Sequence, residues 1–213
     1  MNLIISNNTQ GTQEWLNDRL GKATGSKASI IISKGRTKGT ESITRRNYKY
    51  QLAIERITNV CGELEFTNRH IERGKELENI ARRVYEIQTR KMVEEIGFCY
   101  PENEWYGCSV DGLIDHDGIQ EIKCPIPAIH YSYIENNQLP EEYLPQVLHN
   151  LYTTGRQYCD FVSYNETMPD KLKLFVVRFE PNEAQLAQYK EQLFIFLEEV
   201  NKLTSEIQEK SND

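Results

Sequence analysis

The sequence predicts an α/β fold, a sheet covered on both faces by helices. Three observations lead there. Apolar residues recur at helical spacing over residues 73–90 and 182–208. They switch to strand-like alternation over 104–115, 119–124, 158–164 and 171–179. A further helix, 141–154, falls between the two strand pairs, so the order is helix, strands, helix, strands, helix.

Each element has a local reason. Residues 12–20 read as a short helix. Thr24-Gly-Ser26 reads as a helix N-cap before the apolar run Ala28 to Ile32. Residues 34–40 form a basic, glycine-containing loop, and a helix over about 41–60 ends near Gly62. In 73–90, Leu77, Ile80, Ala81, Val84 and Gln88 share one face. Glu76 and Glu78 lie on opposite borders of that face, and periodicity does not choose between them. His116-Asp117-Gly118 supplies a hairpin turn between 104–115 and 119–124. Pro125 and Pro127 end the second strand. Pro145 is tolerated only in the first turn of 141–154, and Gly155 stops that helix. Leu186, Tyr189, Leu193, Phe196, Leu197 and Val200 give the acidic C-terminal helix its apolar face.

Composition bounds the class. The chain has 213 residues with 38% hydrophobic and 27% charged content, which fits one soluble globular domain over 1–213. No apolar run approaches the length of a membrane span, so no membrane partner is expected. The N-terminus does not read as a secretory signal. Five scattered cysteines without C-x-x-C spacing read as free thiols of a reducing cytoplasm; a zinc or iron–sulfur site is the lesser reading. The net charge of −7 hides an asymmetry: residues 1–50 carry nine Lys/Arg against three Asp/Glu. A local basic face of that kind suits nucleic acid whatever the total charge.

The chemistry gathers on Asp111, Glu121 and Lys123. Glu121 and Lys123 share one strand face, with Ile122 pointing the other way. Charges on half-buried strands are costly unless something binds them, and a hard divalent cation held by carboxylates at a phosphate is a natural resident. Asp111 and Glu121 are the candidate ligands, with the Ile122 carbonyl between Glu121 and Lys123, and Glu78 or Glu76 completing a second position. Lys123 would orient or deprotonate an attacking water. Exposed, salt-bridged strand faces produce the same pattern, so the flanking segments matter.

Those segments are Glu14-Trp-Leu-Asn-Asp-Arg-Leu-Gly21, Thr24-Gly-Ser26, Arg73-Gly-Lys-Glu-Leu-Glu-Asn-Ile-Ala81, Cys108-Ser-Val-Asp-Gly-Leu113, Glu121-Ile-Lys-Cys-Pro125 and Tyr143-Leu-Pro-Gln-Val147. In order and content, over about 11–157, the chain resembles the phage lambda-exonuclease type (YqaJ-like viral recombinase) branch of the PD-(D/E)xK nucleases. The resemblance implies a restriction-endonuclease-like core, a central mixed β-sheet flanked by helices, with the catalytic core at about 70–165. It implies Mg²⁺-dependent 5′→3′ digestion of one strand of linear duplex DNA, with one or two ions and Mn²⁺ as a plausible substitute. Release of 5′-mononucleotides would leave 3′ single strands for phage-type recombination in a bacterial host cytoplasm. It further implies a ring-shaped homotrimer and a single-strand annealing protein as partner.

Residue by residue, the resemblance makes Asp111, Glu121 and Glu78 metal ligands, choosing Glu78 over Glu76, and Lys123 the catalytic lysine. Gln146 matches a glutamine near the site and Tyr143 a residue lining it. Arg19, Ser26 and Ser109 match a pocket for a 5′-phosphate, and Arg36 falls in the basic loop that should meet DNA. Two positions depart from the pattern. Val110 stands where the signature has proline, and Ile129 where a further pocket arginine is expected; His130 beside it reads first as a surface or packing histidine and second as a substitute. Competing readings are an endonuclease of the same fold, restriction or junction-resolving, and an inactive DNA-binding subunit.

Overall fold

The computed structural model describes residues 2–62 and 69–212. In chain order the elements are β1 (Leu3–Ile5), α1 (Gln13–Arg19), β2 (Ala23–Thr24), α2 (Ala28–Ile31), α3 (Ile43–Thr58) and α4 (Arg69–Thr89). There follow β3 (Val93–Glu94), β4 (Cys99–Pro101), β5 (Tyr106–Gly107), β6 (Gly112–Ile114), β7 (Gly118–Lys123) and α5 (Pro127–Asn136). The chain closes with α6 (Leu144–Thr154), β8 (Tyr158–Tyr164), β9 (Leu174–Phe179) and α7 (Glu183–Asn212).

A five-stranded mixed sheet runs β3-β6-β7-β8-β9. Among the described residues of this sheet β7 and β8 are the one parallel pair, Gly118 opposite Tyr158 through Lys123 opposite Ser163, and α5 and α6 lie in the crossover between them. Alternation along β7 divides its side chains between two faces. Ile122 packs with Ile114, Val162 and the Leu77, Ala81 and Tyr85 stripe of α4. Ile119 packs with Cys159 and with Val147 and Leu151 of α6. A further core lies behind α6, where Leu193, Phe196 and Val200 of α7 meet Tyr48 and Leu52 of α3. Each such large apolar side chain contributes about 1.5–3 kcal/mol by leaving water, so α7 is a structural wall of the molecule.

Caps place several helices. Ser42 accepts the Arg45 N–H to start α3, and Thr12 accepts the Trp15 N–H to start α1. Pro145 sits in the first turn of α6, and Gly155 ends that helix at φ 68°, both as the sequence predicts.

Several expectations are corrected. Residues 104–115 are two short strands with a break at Ser109–Asp111, because Asp111 turns its carboxylate onto β7. In the hairpin turn the left-handed residue is Asp115, φ 47°, with Gly118 already paired to Ile114. Thr24–Ser26 is no helix cap: Gly25–Lys27 form a 3₁₀ turn leading to four residues of helix, and Thr24 makes no capping bond. Strands β1, β3 and β4 and helix α5 were not foreseen.

Candidate active site

The site lies where the chain enters β6. The Val110 carbonyl is still off the ladder and accepts Gln10 Nε2 at 3.1 Å. The Asp111 N–H already donates to the Gln120 carbonyl at 3.2 Å. Asp111 Oδ2 accepts the Ile122 N–H at 2.6 Å. A side-chain carboxylate thus replaces a strand carbonyl and is fixed beside Glu121. Arg82 of α4 holds the same segment, donating to the Asp111 carbonyl at 3.1 Å and pairing with Glu95 at 2.7 Å.

Glu121 is 2% exposed on the face toward α6. Its Oε1 accepts Lys123 Nζ at 2.6 Å and Gln146 Nε2 at 2.5 Å. Its Oε2 accepts Asn150 Nδ2 at 3.2 Å. Gln146 and Asn150 are one helical turn apart, so α6 presents two amides to one carboxylate. Lys123 Nζ also lies 5.2 Å from the centre of the Tyr143 ring.

Burial pushes the Glu121 carboxyl up to about 7; Lys123 offsets part of this, while the charges of Asp111 and Glu78 add to it. Burial also raises Asp111. Burial works against a charged Lys123, but Glu121 and Asp111 outweigh it and hold the ammonium above its ordinary value. In the ion-free site Lys123 is therefore held as an ammonium, suited to hold a phosphate oxygen or a water.

Glu78, half-buried on α4, lines with Asp111 a cavity of about 320 Å³ that also touches Asn8, Gln10, Asn79 and Arg82. Glu76 is exposed and outside that lining. Three carboxylates thus bear on one region with a single lysine among them. Among the described residues no group of three or more His, Cys, Asp and Glu side chains is placed to hold a metal ion. Mg²⁺ keeps several waters and needs few protein ligands, so the Asp111 and Glu121 carboxylates are a sufficient start for it.

The proposed phosphate residues fare unequally. Ser109, two residues before Asp111, accepts the Trp15 indole N–H at 2.8 Å. The Arg19 guanidinium lies 4.1 Å above the Trp15 ring, so Arg19 and Ser109 are joined through Trp15, though Arg19 lines a cavity separate from that of Glu78 and Asp111. Ser26 is exposed in its 3₁₀ turn with Thr24 Oγ1 at 3.4 Å, and the helix-terminus argument for an anion there falls with the missing cap. Arg36 is exposed on the basic loop. His130 is fully buried and turned away, Nδ1 to Ser163 Oγ and Nε2 to the Leu172 carbonyl, both at 2.7 Å, so it does not replace an arginine. Asn150 and Arg82 are the site residues that sequence reasoning missed. Glu121 and Asp111 carry a charge pattern; a helix amide and a helix arginine carry none.

Comparison with known proteins shows the family. Residues 14–157 match the model of the YqaJ-like viral recombinase domain. The chain belongs to the YqaJ-like viral recombinase family. It is 34% identical to the alkaline exonuclease LHK-Exo from Laribacter hongkongensis, over 94% of this chain and 98% of that one, with a TM-score of 0.83. A structure of LHK-Exo in complex with dAMP matches at 0.84, with the same identity and coverage. A phage-related exonuclease from Haemophilus somnus 129PT, 14% identical over 90% of this chain and 99% of that one, shares the fold at 0.65. No curated protein sequence matches. This YqaJ-like chain is a nuclease, and its sheet with flanking helices is the restriction-endonuclease-like PD-(D/E)xK core.

Proposed function

We propose that this nuclease is a Mg²⁺-dependent exonuclease that digests one strand of linear duplex DNA 5′→3′. It releases 5′-mononucleotides and leaves 3′ single strands for phage-type recombination. The observation that carries the reading is the buried Glu121 carboxylate with the Lys123 ammonium bonded to it and the half-buried Asp111 carboxylate fixed on the neighbouring Ile122 N–H. Hydrolysis of a phosphodiester needs phosphate charge neutralised beside an in-line water, and these groups bracket such a position.

Asp111, Glu121, the Ile122 carbonyl and Glu78 would hold one or two Mg²⁺ ions, with Mn²⁺ as a substitute. The ion supplies Lewis acidity at the phosphate and a water of lowered pKa. Lys123 steadies the developing negative charge. Gln146 fixes the Glu121 carboxylate, and Tyr143 lines the approach. Arg19 and Ser109, joined by Trp15, take a 5′-phosphate; guanidinium geometry suits that anion. Ser26 belongs to the same pocket by family resemblance, and Arg36 meets the duplex. The dAMP bound by LHK-Exo is a nucleotide of the product class.

The whole of 1–213 acts as one nuclease domain, with the basic region 1–50 toward DNA. A trimeric ring, an annealing partner and the host cytoplasm complete the proposal. Among the described residues no helix is long and apolar enough to cross a membrane.

The test compares linear duplexes bearing 5′-phosphate or 5′-hydroxyl ends, and closed circles, with Mg²⁺. Mononucleotides from phosphorylated ends are expected, with circles untouched. Cleavage of circles would mean an endonuclease, and no cleavage at all an inactive DNA-binding subunit.

A further inference from the structure

Asn150 is 1% exposed on α6. Its Nδ2 donates to Glu121 Oε2, the carboxylate oxygen that Lys123 and Gln146 leave unused. An ionised carboxylate only accepts hydrogen bonds, so the orientation of the amide follows from chemistry. The opposite end, Oδ1, is buried without a hydrogen-bond partner and faces Gly25. A Cβ at Gly25 would stand 2.1 Å from Asn150 Oδ1. Gly25 is not among the residues with positive φ, so its backbone does not require glycine. Room for Asn150 does.

We propose that Asn150 is a positioning residue for Glu121, and that Gly25 keeps it in place. The Thr24–Gly25–Ser26 turn and the carboxylate of the ion site are then joined through one amide. With Lys123 and Gln146 on Oε1 and Asn150 on Oε2, the plane of the carboxylate is fixed from both oxygens; held at Oε1 alone it can turn. Groups that orient a ligand in this way typically set ion affinity by about 10- to 100-fold. The proposal rests on Glu121 as an ion ligand and adds that a turn outside the ion site governs its affinity.

The experiment measures Mn²⁺ binding without DNA, by electron paramagnetic resonance of the free ion, together with melting temperature in ion-free buffer. Asn150→Ala is expected to raise the Kd by roughly tenfold or more. Gly25→Ala should raise it in the same sense by displacing Asn150. The double variant should bind no worse than Asn150→Ala alone, since alanine at 150 leaves room for the new methyl. Asn150→Ser, too short to reach Glu121, is read if Asn150→Ala does not fold. A native Kd in the Asn150 variant overturns the proposal. So does a Gly25→Ala effect that adds in full to that of Asn150→Ala. A native chain that binds no Mn²⁺ fails the functional reading itself, a result distinct from variants that bind like the native chain.

Discussion

Asp111 Oδ2 accepts the Ile122 backbone N–H at 2.6 Å, so one carboxylate both ends a strand ladder and faces the ion site. These two duties separate by substitution. Asp111→Asn keeps an acceptor for the Ile122 N–H and removes the charge. It should lose at least about 100-fold in DNA cleavage, the scale of a metal ligand's contribution, while its ion-free denaturation midpoint stays at or above that of the native chain. Asp111→Ala also strands the N–H and should cost about 1–3 kcal/mol of stability. Nuclease assays and urea titrations of both variants provide the check.

Arg19 and Ser109 meet across the Trp15 indole, and only Arg19 brings a full positive charge. Arg19→Ala should narrow the rate ratio of 5′-phosphorylated to 5′-hydroxyl ends by roughly 10- to 100-fold, the worth of a charge-assisted hydrogen bond. Mn²⁺ affinity should not move. An unchanged end preference removes Arg19 from the pocket.

His149 is fully buried; its Nε2 donates to the Gly107 carbonyl at 2.9 Å and its Nδ1 accepts the Tyr189 hydroxyl at 2.7 Å. Burial lowers its pKa from 6.5 to about 4, with the Gly107 bond partly opposing. The unfolded chain therefore takes up this proton first. The stability tied to the neutral ring is full above pH about 6.5 and lost as pH falls toward about 4, some ~3 kcal/mol in all. Proton-detected titration of the ring should show it neutral down to about pH 4, and denaturant midpoints should fall across the same window.

Tyr85 donates to Asp160 Oδ2 at 2.6 Å on the α4 face of the sheet, opposite Glu121. Arg178 binds Asp160 as well, at 2.8 and 2.9 Å. Tyr85→Phe should cost about 1 kcal/mol by urea titration, because Asp160 keeps its arginine. DNA cleavage at a temperature below the transition should be unchanged.

The longer elements were legible because their patterns are long. The β8 boundaries, Pro145 at the start of α6 and Gly155 at its end are where the sequence puts them. Strands β1, β3 and β4 have two or three residues, too few for alternation to register. Helix α5 leaves Ile129 and Tyr131 exposed and so lacks a clear apolar stripe. Asp111, Glu121 and Lys123 were visible as misplaced charges on strands. Asn150 was not, because its role depends on Gly25 and Glu121 lying on either side of it, a tertiary fact. Trp15 is half-buried, with Arg19 lying over its ring, a contact no periodicity reveals.

Glu121 lies buried among the charges of Asp111 and Glu78, which Lys123, with Arg82 beside Asp111, offsets only in part. Folding without an ion therefore forces like charges together, and an ion that binds only the folded form relieves them. Divalent cation concentration is then a thermodynamic variable of the fold itself. At about a hundredfold excess over Kd the folded form gains ~2.7 kcal/mol, so the melting temperature should climb with added Mg²⁺ and drop on chelation, with no DNA present.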